Sequence, residues 1–337
     1  MKANTSLRSI GFTLALIAAF FMQIPACAHA IANDYDVKKF GAKGDGKADD
    51  TSSIQKALDS AFAGGAGHTV SLTAGNYKIT KPLRVPRNVD IRGEGIGFAS
   101  VLSPVNCRAI EIVGAHEPGG YSFRNRIDSI TIVMKDAKSK EAIIISETYT
   151  VTLSEVFVYD ARLAGIRIEN SNHVRLDDIS VYGTDTGIGE GIVITDSTVN
   201  AYNINVENFL NAITVRATSD YDGKLNLFGG HIERFGGYGI LLEGSSYNLI
   251  SGARILAPSS SSVPIAVKAD KSGKLFPNHN TIIGSQLLVG NSRPNEKKAS
   301  EFTPVAAYAG ESNRLINTQV IGKPKAFGAA KNFDESP

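Results

Sequence analysis

Four side chains in the middle of this chain could carry a proton: Asp185, Glu190, Tyr238 and His231. Around them stand residues that could hold an acidic substrate or balance its charge: Arg162, Arg167 and Arg216, with Glu141, Glu169 and Glu243. Two carboxylates about 5–9.5 Å apart can flank a glycosidic bond and hydrolyse it. A base beside a sugar C5, with a positive charge facing the anion that develops there, can run a lyase or an epimerase reaction. Glu190 with Asp185 suits the first chemistry. Tyr238, Arg167 and Arg216 suit the second, with His231 in reserve. Arginine is apt because its planar fork takes a carboxylate through two bonds. A surface that only binds glycan needs no more than polar and aromatic contacts, so that class stands beside the enzymes.

Most of these residues share one property: they occupy equal positions of a repeat. A small residue or Pro, then Ile, any residue and an aliphatic one recur as AIEI at Ala109, AIII at Ala142, GIRI at Gly165, GIVI at Gly191, AITV at Ala212, GILL at Gly239 and PIAV at Pro264. The residue just before the motif reads Glu141, Ala164, Glu190, Asn211, Tyr238, Val263. The first alternate position reads Ile144, Arg167, Val193, Thr214, Leu241, Ala266. The next reads Ser146, Glu169, Thr195, Arg216, Glu243, Lys268.

A period of this size with short alternating strands predicts a solenoid. Alternation turns Ile166 and Ile168 inward and Arg167 and Glu169 outward. One turn cannot bury its inward face alone. The next turn, stacked ~4.8 Å along the axis, closes the core and lines equal positions into columns. The expected fold is all-β, a single-stranded parallel β-helix of about eight turns over roughly Val89 to Val320. Leucine-rich repeats would demand fixed leucines and a helical segment per repeat, and neither occurs. The polar loop from Asn291 to Thr303 interrupts the periodicity, and the tail 322–337 has little.

The ends are different. Lys2 and Arg8, the apolar run Ile10 to Ile24 and Ala28-His29-Ala30 read as a secretory signal over 1–30, cleaved after Ala30. Export to the periplasm or the medium is therefore expected. A lipoprotein box at Cys27 ranks lower, because Pro25 is an unusual occupant. Removing Lys2 and Arg8 from the 35 basic residues leaves 33 against 33 acidic, so nothing draws the chain toward nucleic acid. The mature chain has no integral membrane segment and keeps one cysteine, Cys107, which rules out an internal disulfide and a paired-cysteine zinc site. No cofactor is expected. Asp177-Asp178 could bind calcium, but no second acidic cluster supports it. A monomer and a trimer both stay open.

From Asp36 the chain reads DVKKFGAKGDGKADDTSSIQKALD, then GHTVSLTAGNYKIT and PLRVPRNVDIRGEG. Asp50 or Thr51 can cap a helix, Ile54, Leu58 and Ala61 or Phe62 share one face, and Gly64-Gly65 ends it. Such a helix, near Thr51 to Ala63, would close the exposed end of the solenoid. These segments resemble the N-terminal part of the pectate-lyase-like superfamily, in the branch shared by rhamnogalacturonase-like and polygalacturonase-like proteins, mannuronan epimerases and some phage tailspikes. The resemblance implies right-handed winding, a cap with first turns over 31–95, the β-helix over 96–321, and action on acidic or complex polysaccharide. It also implies a substrate groove along the outward face of the small-Ile strands and the turns before them. The branches' catalytic motifs are not here: the chain has no Asn-Thr-Asp, Gly-His-Gly or Asp-Pro-His. Lyase, hydrolase, epimerase and non-catalytic glycan binder therefore all remain readings.

Overall fold

The computed structural model describes residues 35–336 apart from 66, 96, 98, 117–121, 138–139, 220–222, 260, 290–302, 304, 308–309, 321–324 and 327–333. The expected signal at 1–30, with Cys27, lies outside the described residues, as do most of the 291–303 loop and of the tail.

The small-Ile repeat builds one face of a 26-stranded sheet. In ladder A, Ile110–Val113, Glu141–Ser146, Ala164–Glu169 and Glu190–Thr195 pair in parallel, followed by 211–216, 238–243, Val263–Lys268 and Val305–Ala307. Ile143, Ile166, Ile192, Ile213, Ile240 and Ile265 meet in register, each at most 1% exposed. The chain then forms ladder B (152–154, 174–177, 198–202, 224–228 and their neighbours) and ladder C (156–159, 179–182, 204–207, 230–233 and theirs). The coil is a right-handed parallel β-helix, the hand that crossovers between parallel strands adopt.

One residue per turn makes the corner from B to C. Ser129, Glu155, Asp178, Asn203, Gly229, Gly252, Gly284 and Asn317 follow one another there, with φ between 45 and 71°. The left-handed region is open to Gly and tolerated by Asn and Asp, which explains several of the occupants. Asp177-Asp178 therefore sits at this corner between Leu176 and Ile179, as its position in the repeat indicates. Inward polar groups stack as amide ladders: Asn248 Nδ2 donates to Asn280 Oδ1 at 2.8 Å, and Asn280 Nδ2 to Asn313 Oδ1 at 2.9 Å.

The cap helix, Thr51–Ala63, buries Ile54, Ala57, Leu58 and Ala61 against the first strands. Two details differ from expectation. Phe62 is 39% exposed, because Ala61 takes the inward position. Asp50 precedes the helix but caps nothing with its side chain; its carboxylate accepts instead from the N–H groups of Lys43 and Gly44. The winding also starts well before Val89: Tyr35–Asp36 pairs with His68–Leu72, which pairs with Val89–Gly93. The cap is thus part of the ladders rather than a separate lid.

Candidate functional site

The three columns read from the repeat recur in the register of ladder A. Glu141, Ala164, Glu190, Asn211, Tyr238 and Val263 succeed one another, and so do Ser146, Glu169, Thr195, Arg216, Glu243 and Lys268. Arg167, Val193, Thr214, Leu241 and Ala266 run between them. Long side chains from the flanking columns meet across this middle strip, and two ion clusters result.

In the first cluster, Glu141 accepts from Arg108 Nε at 2.8 Å and from Arg167 Nε at 3.2 Å. Arg167 also reaches Glu169 at 3.4 Å, and Arg108 reaches Glu111 at 3.2 Å. In the second, Arg216 donates to Glu190 Oε1 at 2.5 Å and to Glu243 Oε2 at 2.8 Å, while Thr214 Oγ1 donates to Glu190 at 2.8 Å. Burial pushes the Glu190 carboxyl up, but Arg216 and the Thr214 hydroxyl outweigh it and hold the group below the ordinary Glu value. Glu141 is likewise buried, and its own N–H with Arg108 and Arg167 brings it below that value. Both carboxylates are anionic at neutral pH and have no proton to give.

Tyr238 belongs to neither cluster. Lys268 Nζ donates to its hydroxyl oxygen at 2.5 Å and lies 4.3 Å from the ring centroid. This places the Lys268 amino group against both the hydroxyl and the ring of Tyr238.

Before ladder A, the turns form an open depression of about 590 Å³ lined by Asn106, Lys135, Asp136, Arg162, Leu163, Ile188 and Gly189. It ends one residue short of Glu190. Lys135 and Arg162 are exposed there. Asp185 is exposed in the same run of turns and accepts from the Gly187 N–H at 2.7 Å, closing its own loop rather than meeting Glu190.

His231 is elsewhere. It lies on a strand, not a loop, and belongs to ladder C, where it pairs in register with Asn205. The left-handed residue Arg234 separates it from Tyr238 along the chain. The structure thus brings together Glu141, Arg167 and Glu169 in one group and Glu190, Arg216 and Glu243 in another, with Tyr238 on the same face. Arg162 stands at the edge of that face and His231 on a different one. Asp177 pairs with Arg175 at 2.7 Å and Asp178 accepts from Asn203 at 2.5 Å. No group of three or more His, Cys, Asp or Glu side chains gathers at a metal-binding distance among the described residues.

Sequence reasoning missed Arg108 and Lys268 as site members. Arg108 occupies the position just before the AIEI motif, one turn ahead of Glu141, so extending the column by one motif finds it. Lys268 stood in its column, but only geometry shows it turned onto Tyr238. Lys135 carried no signal, because it lies in a turn of variable length.

Residues 35–112 match the family model described as rhamnogalacturonase A/epimerase, pectate lyase-like. A 71-residue stretch, 19% of this chain, is 49% identical to mannuronan C5-epimerase AlgE2 of Azotobacter vinelandii and spans 7% of that protein. The solved A-module of mannuronan C-5 epimerase AlgE4 from the same organism superposes with a TM-score of 0.59 at 18% identity, over 90% of this chain and 100% of that one. The Streptococcus pneumoniae surface protein and adhesin PfbA superposes with a TM-score of 0.62 at 15% identity, over 89% of this chain and 99% of that one. The segment 35–112 is thus pectate-lyase-like, and the chain has the right-handed β-helix of such proteins. The family match ends before Glu141, so it covers the cap and first turns and, of the ion clusters, only Arg108 and Glu111. No helix among the described residues is long and apolar enough to cross a membrane.

Proposed function

We propose that the protein acts on an acidic polysaccharide along the outward face of ladder A, by proton transfer at a uronate C5 rather than by hydrolysis. The observation that carries this reading is the Tyr238–Lys268 pair, on the same face as carboxylates that are held ionised. Hydrolysis needs a protonated acid for the leaving oxygen, and neither Glu141 nor Glu190 is one. In the proposed step the Tyr238 oxygen, which accepts from Lys268 Nζ, gives up its own proton to water and takes the C5 proton. The C–H electron pair moves toward the substrate carboxylate. Return of a proton from water to the opposite face gives the epimer; if instead the pair at C5 forms a C4=C5 double bond, the C4 oxygen departs with the C4–O bonding pair and takes a proton from water. Lys135 and Arg162 hold substrate carboxylates, because the chain's own glutamates already engage Arg167 and Arg216. The family match of the cap and the likeness to epimerases support the substrate class. Export, expected from the leader, fits a polymer outside the cell.

A panel of acidic polysaccharides tests the reading, with unsaturated-product absorbance, solvent deuterium at C5 and reducing ends followed in parallel. Elimination or exchange is expected, and Tyr238→Phe should lower it about 10²–10⁴-fold. New reducing ends with neither signal would overturn it in favour of hydrolysis. A second reading, a surface that holds glycan without turning it over, draws support from the same saturated arginines: both clusters work as structural struts. Binding with no product by any assay would establish it.

A further inference from the structure

We propose that ladder C carries a second saccharide site, separate from ladder A, that takes a neutral hexose unit. The outward face of this ladder holds a cleft of about 660 Å³ whose lining includes Phe157, Ser180, Asn205, His231 and Arg254. Its shape and chemistry differ from the depression beside ladder A.

One wall is aromatic. Phe157 meets Tyr159 edge-on with ring centroids 6.2 Å apart, and Tyr159 stacks on Tyr182 at 5.0 Å with the planes 13° apart. Phe157 is half-buried and faces the cleft. A stiffened ring of this kind offers a flat apolar surface to the C–H face of a sugar at little cost in side-chain entropy.

The polar groups are the second observation. Three buried side-chain polar atoms lack a hydrogen-bond partner among the described residues: Thr131 Oγ1, Asn205 Oδ1 and His231 Nε2. All three belong to one outward column, Thr131–Phe157–Ser180–Asn205–His231. Buried groups without partners are rare, because each forfeits the bonds it made with water. Glu233 Oε2 stands 3.4 Å from His231 Nε2 without the geometry of a bond. Asn205 is held from its other side, Nδ2 donating to the Tyr182 hydroxyl at 2.9 Å. His231 lines the cleft, and a turn about its side-chain bonds breaks no hydrogen bond at Nε2. The Asn205 Oδ1 acceptor and the His231 Nε2 atom, one turn apart, match neighbouring hydroxyls on a pyranose, which both donate and accept.

Charge selects the class. Glu155 and Asp178 also line the cleft, tied to Ser129 Oγ at 2.8 Å and Asn203 Nδ2 at 2.5 Å, and they outnumber Arg254. Unlike the depression with Lys135 and Arg162, this cleft has no excess positive charge to draw a polyuronate. The site needs no turnover, so it stands whether or not ladder A proves catalytic.

The test is titration of the full chain, with its histidine side chains isotopically labelled, against gluco-, manno- and galacto-tetraoses and an oligouronate. The His231 resonance is assigned by His231→Gln. A neutral tetraose is expected to shift that resonance, and Asn205→Ala and Phe157→Ala, checked for native circular dichroism, should each weaken binding about 5–10-fold. Tyr238→Phe should leave the affinity unchanged. The proposal is overturned if no neutral tetraose moves His231, if the oligouronate binds there more tightly, or if Tyr238→Phe removes the shift. Should Phe157→Ala fail to fold, the exposed Arg254→Ala and His231→Gln serve as the binding variants.

Discussion

The outward faces of ladders A and C arise from the same repeat and sit on the same core, yet they treat polar groups in opposite ways. On ladder A each guanidinium of the two clusters meets carboxylates of neighbouring turns, and Glu190 accepts from the Thr214 hydroxyl besides. On ladder C a column leaves Thr131, Asn205 and His231 each with an unpartnered atom. Register explains the first. Turns ~4.8 Å apart put charges of opposite sign within reach whenever a column alternates them, as Arg108 and Glu141 do. The second reflects partial pairing, where a side chain is held at one end and idle at the other. The two ion clusters of ladder A contribute to the fold; the unmade bonds of ladder C are open to a ligand.

The largest effect tests the core that both faces share. Ile166→Asp buries an unpaired carboxylate among stacked isoleucines and should prevent native folding, at a cost of several kcal/mol. Arg167→Ala on the neighbouring residue should cost only about 1 kcal/mol, because Arg108 still holds Glu141. Comparable thermal midpoints for the two variants would refute the inward and outward assignment.

The next effect separates the faces. Glu190→Gln should destabilise the protein by about 1–3 kcal/mol, since Arg216 then loses a charged partner in a half-buried place. It should also change the pH dependence. The folded-state pKa of Glu190 lies below its ordinary value of 4.5, so its contribution is complete above 4.5 and is lost as pH falls through the lower folded value. Denaturant titrations between neutral pH and pH 3 should show wild-type stability declining below 4.5 and a shallower decline for Glu190→Gln. Asn205→Ala, on ladder C, should keep the wild-type slope. An identical slope in Glu190→Gln would mean that the second cluster contributes no net stability.

How much of this the sequence discloses follows from what a repeat encodes. Inward positions must match the turn above, so Ile143, Ile166 and Ile192 write the core, the register and the columns in plain order. The cap helix, Thr51–Ala63, is equally legible from its apolar face and the glycines that follow it. Pairing is not. The column Ser146, Glu169, Thr195, Arg216, Glu243, Lys268 shows where charges stand, but rotamers decide that Arg216 bridges two glutamates while Lys268 turns to Tyr238. His231 looked available to the small-Ile face because only six residues lie between it and Tyr238. A left-handed residue at Arg234 and the variable turn after it put the two on different ladders. The aromatic wall of ladder C, Phe157, Tyr159 and Tyr182, is spread over two repeats whose outward positions vary freely, so no periodicity marks it.

The smallest effect asks whether ladder C carries unmet bonds in the absence of ligand. Thr131 heads the column, fully buried, with its hydroxyl lacking a partner. Thr131→Val replaces that hydroxyl by a methyl of nearly the same shape, keeps the β-branch that suits a strand, and removes a group that gains nothing from burial. Its effect should be a rise of at most about 1 kcal/mol, read as a higher thermal midpoint with an unchanged denaturant slope. The corresponding change on ladder A, Thr214→Val, deletes the donor to Glu190 and should lower the midpoint instead. Both threonines are fully buried outward residues in central strands, so opposite signs isolate the presence or absence of a partner as the cause. If Thr131→Val were as destabilising as Thr214→Val, the Thr131 hydroxyl would be bonded in solution, and the contrast between the two faces would fail at that position.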